Sequence, residues 1–134
     1  MNTWLPQLLQ SSDSMFPTGA YAHSYGMEGA VQDGLIKDIA DFRAFINDMV
    51  IPGLEKLELP AAAAAFKAAQ DADLARLCEL DQRYGAMKPS RELREATART
   101  GRQRLLLNLE IAGEPFWRDI EQARLAKRLE AYEP

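Results

Sequence analysis

The chain has 134 residues, 47% of them hydrophobic and 27% charged, with a net charge of −4. That length suits one domain able to bury about two-thirds of its unfolded surface, and the mild acidity gives no electrostatic case for nucleic acid or an anionic membrane as a partner of the whole molecule. A single cysteine, Cys78, excludes an internal disulfide and a Cys-rich metal site.

Helical period runs through almost every segment, and no segment alternates as a strand would. The N-terminal MNTWLPQLLQ lacks the basic start and the apolar run of a signal peptide, and Leu5, Leu8 and Leu9 predict a short helix over 3–10. No stretch has the length and apolarity of a membrane span, so a cytoplasmic location is expected. Residues 11–29, SSDSMFPTGAYAHSYGMEG, then break the period with Pro17 and Gly19. A helix is expected over 22–33, closed by Gly34 in the left-handed conformation. Asp38 is the expected N-cap of a helix over 38–51, with the stripe Ile39, Phe42, Phe45, Ile46, Met49 and Val50. Pro52-Gly53 predicts a kink or break before an alanine-rich helix over 55–69, whose small residues suit a tight helix contact. Further helices are expected over 72–86, 90–108 and 116–131, the last two separated by Gly113-Glu114-Pro115. The resulting fold class is all-α: a single helical-bundle domain, residues 1–134, of about six or seven helices.

Charge is unevenly distributed. Residues 1–87 carry 12 acids and 6 bases, whereas residues 88–104 carry 6 bases and 2 acids. The basic helix of Lys88, Arg91, Arg94, Arg99, Arg102 and Arg104 has no interleaved aromatics for base stacking, and Arg91 has Glu95 four residues on. Asp81 falls within an apolar stripe, where a carboxylate needs a cation; Arg91 or Arg94 is nearest in sequence, and a pair across a helical hairpin is expected.

Catalytic readings of the opening stretch fail on chemistry. Ala22-His23-Ser24-Tyr25-Gly26 approaches a nucleophile elbow, but a loop stands where the strand should be. The lone His23 is the immediate neighbour of Ser24 and poorly placed as its base. His23 and Glu28 do not share a helical face as zinc ligands do, and no phosphate-cradling loop exists. The remaining reading is recognition. Tyr21 and Tyr25 are i, i+4 neighbours beside the bulk-free Gly26 and Gly29, which predicts a close backbone approach.

At this point the sequence resembles a known family. LLQSSDSMFPTGAYAHSYGMEGAVQDGLIKD is similar to the N-terminal signature of the urease accessory protein F family through Asp13-Ser14, Pro17, Gly19, Tyr21, His23-Ser24, Gly26 and Glu28. Leu59-Pro60, Leu80-Asp81, the Ser90-Arg91-Glu92-Leu93-Arg94 run and Gly101-Arg102 continue the likeness, which covers about residues 5–107. The resemblance implies a non-enzymatic, cytoplasmic all-α adaptor that forms homo-oligomers. With a second accessory protein and a P-loop GTPase it would deliver nickel to apo-urease, the metal being handled by the assembly and not bound tightly by this chain. Tyr21, His23, Ser24, Tyr25, Glu28, Arg99 and Arg102 are the expected partner contacts. Asp13, Ser14, Pro17, Gly19, Gly26, Asp81, Arg91 and Arg94 are the expected structural motif.

Family members usually exceed two hundred residues. The C-terminal portion of the family, with its His-Pro-containing segment, is not matched after Leu107. The rival reading is a free-standing helical protein–protein interaction module with no urease role.

Overall fold

The computed structural model describes residues 4–13, 15–19 and 26–132, and these form an all-α structure without strands. Its six helices are α1 (Trp4–Ser12), α2 (Met27–Gln32), α3 (39–70), α4 (Leu74–Met87), α5 (Arg91–Ile111) and α6 (Pro115–Leu125). Local chemistry sets most of their ends. The Asp38 carboxylate accepts the N–H groups of Ala40 and Asp41 at 2.8 and 2.9 Å. Ser90 accepts the Leu93 N–H at 3.1 Å, and Asp73 caps α4 through the Arg76 N–H at 2.9 Å. Gly34 is left-handed, at φ 71°, as the residue that stops α2.

Of the kink or break expected at Pro52-Gly53, the break does not occur. Helical backbone runs from Ile39 to Gln70, a rod of roughly 45–50 Å. Proline lacks an N–H, and its ring collides with the carbonyl four residues back. The helix absorbs this by widening ahead of each of its prolines: a π-helical turn at Ile46–Val50 precedes Pro52, and another at Leu54–Glu58 precedes Pro60. The alanine-rich end of α3 packs along α4 with Ala68 buried, the tight contact its composition predicts. Towards the other end Ile39, Phe42 and Met49 remain exposed, as do Leu5, Leu8 and Leu9 on α1.

The core lies between α4, α5 and α6. Cys78, Leu105, Ile120, Ala123 and Leu129 are buried there, with Leu74, Leu77 and Trp117 packed against them. Cys78 is thus an apolar core residue, as its stripe predicts. The expected last helix over 116–131 ends early, at Leu125. Residues 126–132 instead fold back as an irregular strap, with Lys127 and Ala131 in left-handed conformations at φ 57° and 60°.

The second helix is also shorter than expected, and the reason changes the role of its glycines. Gly26 precedes α2 at φ 94°, and a β-carbon built there would meet nothing within 4 Å. Gly29 likewise has open space around it. Backbone conformation, not close approach to a neighbour, requires glycine at position 26. Gly26→Ala should therefore destabilise by about 1–2 kcal/mol through backbone strain. Gly29→Ala, inside the helix with room for a methyl, should be neutral or stabilising by up to about 1 kcal/mol. Urea denaturation of the two variants checks this; equal losses from both would restore a packing role.

Candidate functional site

Asp81 organises the strap. Its carboxylate accepts the backbone N–H of Glu130 and that of Tyr132, each at 2.7 Å. The expected pairing with Arg91 or Arg94 is therefore wrong. Arg91 binds Glu95 at 2.7 Å, and Arg94 donates to the Lys88 carbonyl at 2.7 Å. Two peptide N–H groups supply the positive potential that a cation was expected to provide. Burial still raises the Asp81 carboxyl above its ordinary range, although the hydrogen bonds from Glu130 and Tyr132 work the other way. The strap is further held by Gln82, which donates to the Arg128 carbonyl at 3.0 Å, and by buried Leu129. Tyr132 lays its ring on Gly85 so closely that a β-carbon at position 85 would sit 2.3 Å from it.

A second polar cluster joins α3 to the end of α4. Lys88 is 3% exposed, and its ammonium donates to Glu58 Oε1 at 3.0 Å and to the Tyr84 hydroxyl. That hydroxyl donates in turn to Glu58 Oε2. The ammonium also lies 4.2 Å from the centre of the Tyr84 ring. The cluster is internally satisfied and acts as a tie between helices.

Between the strap and α5 lies a groove of 380 Å³ lined by Arg91, Arg94, Arg99, Arg102, Glu130 and Tyr132. Arg102 reaches Glu130 at 3.5 Å, with both side chains well exposed. Arg99 is exposed and has no carboxylate within ion-pair distance among the described residues. A separate, mostly apolar cavity of 390 Å³ lies between α3, α4, α5 and α6, with Ala61, Ala64, Leu77, Leu105 and Trp117 in its wall. Its mostly aliphatic and aromatic wall suits apolar side chains, with Lys56, Asp81, Tyr84 and Arg104 also in the lining.

The loop after α1 is tied to the same helix α5. Arg104 donates to the Ser11 carbonyl at 2.6 Å and stacks 5.5 Å from the Phe16 ring. Asp13 accepts the Met15 N–H at 2.7 Å, a local cap of the kind its sequence predicts. Thr18 is buried, and Gly19 has φ 80°. Ser11 and Phe16 are thereby tied to α5 through Arg104.

Comparison with known proteins decides what this arrangement belongs to. The UreF family model matches residues 36–132, from just before α3 to the end of the strap. The chain belongs to the UreF family. A urease accessory protein UreF of Azoarcus sp. is 36% identical over 117 residues, covering 85% of this chain and 50% of that relative. One from Pseudomonas fluorescens is 33% identical over 117 residues, covering 86% and 52%. One from Actinobacillus pleuropneumoniae is 30% identical over 130 residues, covering 97% and 57%. The chain thus spans about half the length of the UreF relatives it matches. These relatives are named as accessory proteins of urease and not as enzymes. No solved structure matches the chain.

Of the expected partner contacts, Tyr21, His23, Ser24 and Tyr25 lie outside the described residues, as does Ser14 of the expected motif. Glu28 is exposed on α2. Arg99 and Arg102 meet in the groove, joined there by Arg91 and Arg94, which the sequence had assigned to structure. Pro17 and Asp13 stand exposed in the loop. Sequence reading missed the Lys88–Tyr84–Glu58 cluster and Tyr132 entirely. The glycine at position 85, in mid-helix beside an aromatic, was the one signal of a close approach there. Among the described residues no group of three His, Cys, Asp or Glu side chains converges as a metal site would, and no helix is long and apolar enough to cross a membrane.

Proposed function

We propose that this chain is a non-enzymatic adaptor in urease maturation, acting in the cytoplasm with a second accessory protein and a P-loop GTPase on apo-urease. The observation that carries this reading is the UreF family match over residues 36–132 together with relatives named as urease accessory proteins. Nickel is cargo of the assembly, passed to apo-urease without a tight site on this chain. The exposed apolar residues of α1 and α3 support self-association and partner docking, because contiguous apolar surface in water favours being covered. Tyr21, His23, Ser24, Tyr25 and Glu28 supply a second contact region.

Co-expression with urease subunits, the second accessory protein and the GTPase tests the proposal. Affinity capture of this chain should retain the accessory protein, and its omission should lower the nickel content of purified urease. Capture of none of these proteins, with urease nickel unchanged, would leave a helical interaction module without a urease role.

A further inference from the structure

We infer that the groove formed by Arg91, Arg94, Arg99 and Arg102 beside Tyr132 docks an acidic polypeptide segment, an inference that rests on the adaptor reading and names the chemistry of one contact. The four arginines occupy successive turns of α5, spanning about 16 Å from first to last. That length matches about three turns of a helix, or about five extended residues, carrying two or three carboxylates.

The groove is charged but not self-satisfied. Its four guanidinium groups face two carboxylates, Glu95 and Glu130. Arg91 and Glu95 pair on the open surface, with side chains 80% and 56% exposed, so that pair contributes little and can be exchanged for an incoming carboxylate. Arg102 and Glu130 are held only loosely at 3.5 Å. Arg99 has Glu95 nearby, but that carboxylate is engaged by Arg91. Arg94 is pre-positioned, because one of its N–H groups is fixed on the Lys88 carbonyl while the rest of its fork remains for a ligand.

The wall opposite the arginines is equally fixed. Tyr132 is held by its N–H bond to Asp81 and by its ring on Gly85, so the groove has a rigid aromatic side. Bidentate pairing of a guanidinium with a carboxylate in such a setting gives orientation as well as attraction. An extended polyanion such as nucleic acid fits less well. The patch neutralises only a few charges, and the molecule around it is acidic, at net −4. A short acidic stretch of protein meets the basic groove without running onto repulsive surface.

Two measurements test the inference on the intact chain. In a heteronuclear NMR titration, a hexaglutamate peptide should shift the amides of residues 91–102 and 130–132, and hexalysine should not. The Arg99→Glu/Arg102→Glu variant should abolish those shifts while its circular dichroism and melting temperature stay at wild-type values. Shifts spread evenly over all basic residues, or produced by inorganic phosphate and not by hexaglutamate, would overturn the proposal. In the second measurement, the same variant should bind the captured accessory partner at least tenfold more weakly than wild type. Wild-type binding that is unaffected by the charge reversal defeats the groove inference and leaves the adaptor reading standing. Absence of wild-type binding defeats the adaptor reading, and the groove with it as a partner contact.

Discussion

Replacing Glu58 by alanine should destabilise the protein by about 3 kcal/mol, one of the two largest losses expected from a single polar substitution in this fold. The reason lies with its partner. Lys88 is 3% exposed, and its ammonium has Glu58 as its only carboxylate partner among the described residues. Removing that carboxylate leaves a buried positive charge facing a neutral phenol. Glu58 itself is 28% exposed, so water can enter part of the vacated space, which puts the cost at the lower end of the range for broken buried pairs. The companion experiment is Lys88→Met. It removes the charge and keeps an apolar stem against the Tyr84 ring, so the double variant Glu58→Ala/Lys88→Met should recover most of the stability lost by Glu58→Ala. Chemical denaturation of the four proteins in a double-mutant cycle measures the coupling. A loss below about 0.5 kcal/mol for Glu58→Ala would mean that the ammonium finds water and that the cluster is not a tie between α3 and α4.

The second large effect is expected at Asp81. Asp81→Ala strips the acceptor from two backbone N–H groups, one of them partly buried, and should cost about 2–4 kcal/mol at neutral pH. Loss of amide protection at Glu130 and Tyr132 by hydrogen exchange should accompany it, because the strap is anchored there. The pH dependence has a definite sign. Burial raises the folded-state carboxyl above its ordinary value of 3.8, so the folded protein binds this proton more readily than the unfolded chain does. By linkage, the contribution of Asp81 to stability is largest in acid and falls as pH rises from that value through the raised folded one. Wild type should therefore gain stability relative to Asp81→Asn on acidification through that window. A gain in the opposite direction would show that the two N–H groups outweigh burial.

The same two residues bear on function. The strap that Asp81 holds forms one wall of the arginine groove, so an Asp81→Ala chain that remains folded should still lose binding at the groove. The side chains of Glu58 and Lys88 do not line the groove, and a repaired Glu58→Ala/Lys88→Met chain, which keeps the Lys88 carbonyl that Arg94 uses, should bind as wild type does. Structural and recognition roles thus separate by position in the fold.

Sequence alone determined what depends on neighbours a few residues apart. Asp38 and Ser90 start helices because a short oxygen-bearing side chain reaches N–H groups two or three positions on. Gly34 stops α2 because a left-handed residue is needed there, and the stripe containing Leu74, Leu77 and Cys78 turns to the core because its period is that of a helix. The family was legible too, since its motif residues stand in order along the chain. Only the tertiary structure decided the rest. Pro52 and Pro60 break a helix by local rules, yet α3 continues through both because a π-helical turn ahead of each relieves the ring clash. Asp81 was assigned a cation from the adjacent helix, but its partners are peptide N–H groups 49 and 51 residues away. Lys88 meets Glu58 across 30 residues of chain. The arginines lie in order in the sequence, but the groove exists because α6 ends at Leu125 and the strap returns over α4. Such long-range pairings are set by how packed helices close their loops, a constraint that no local pattern of residues carries.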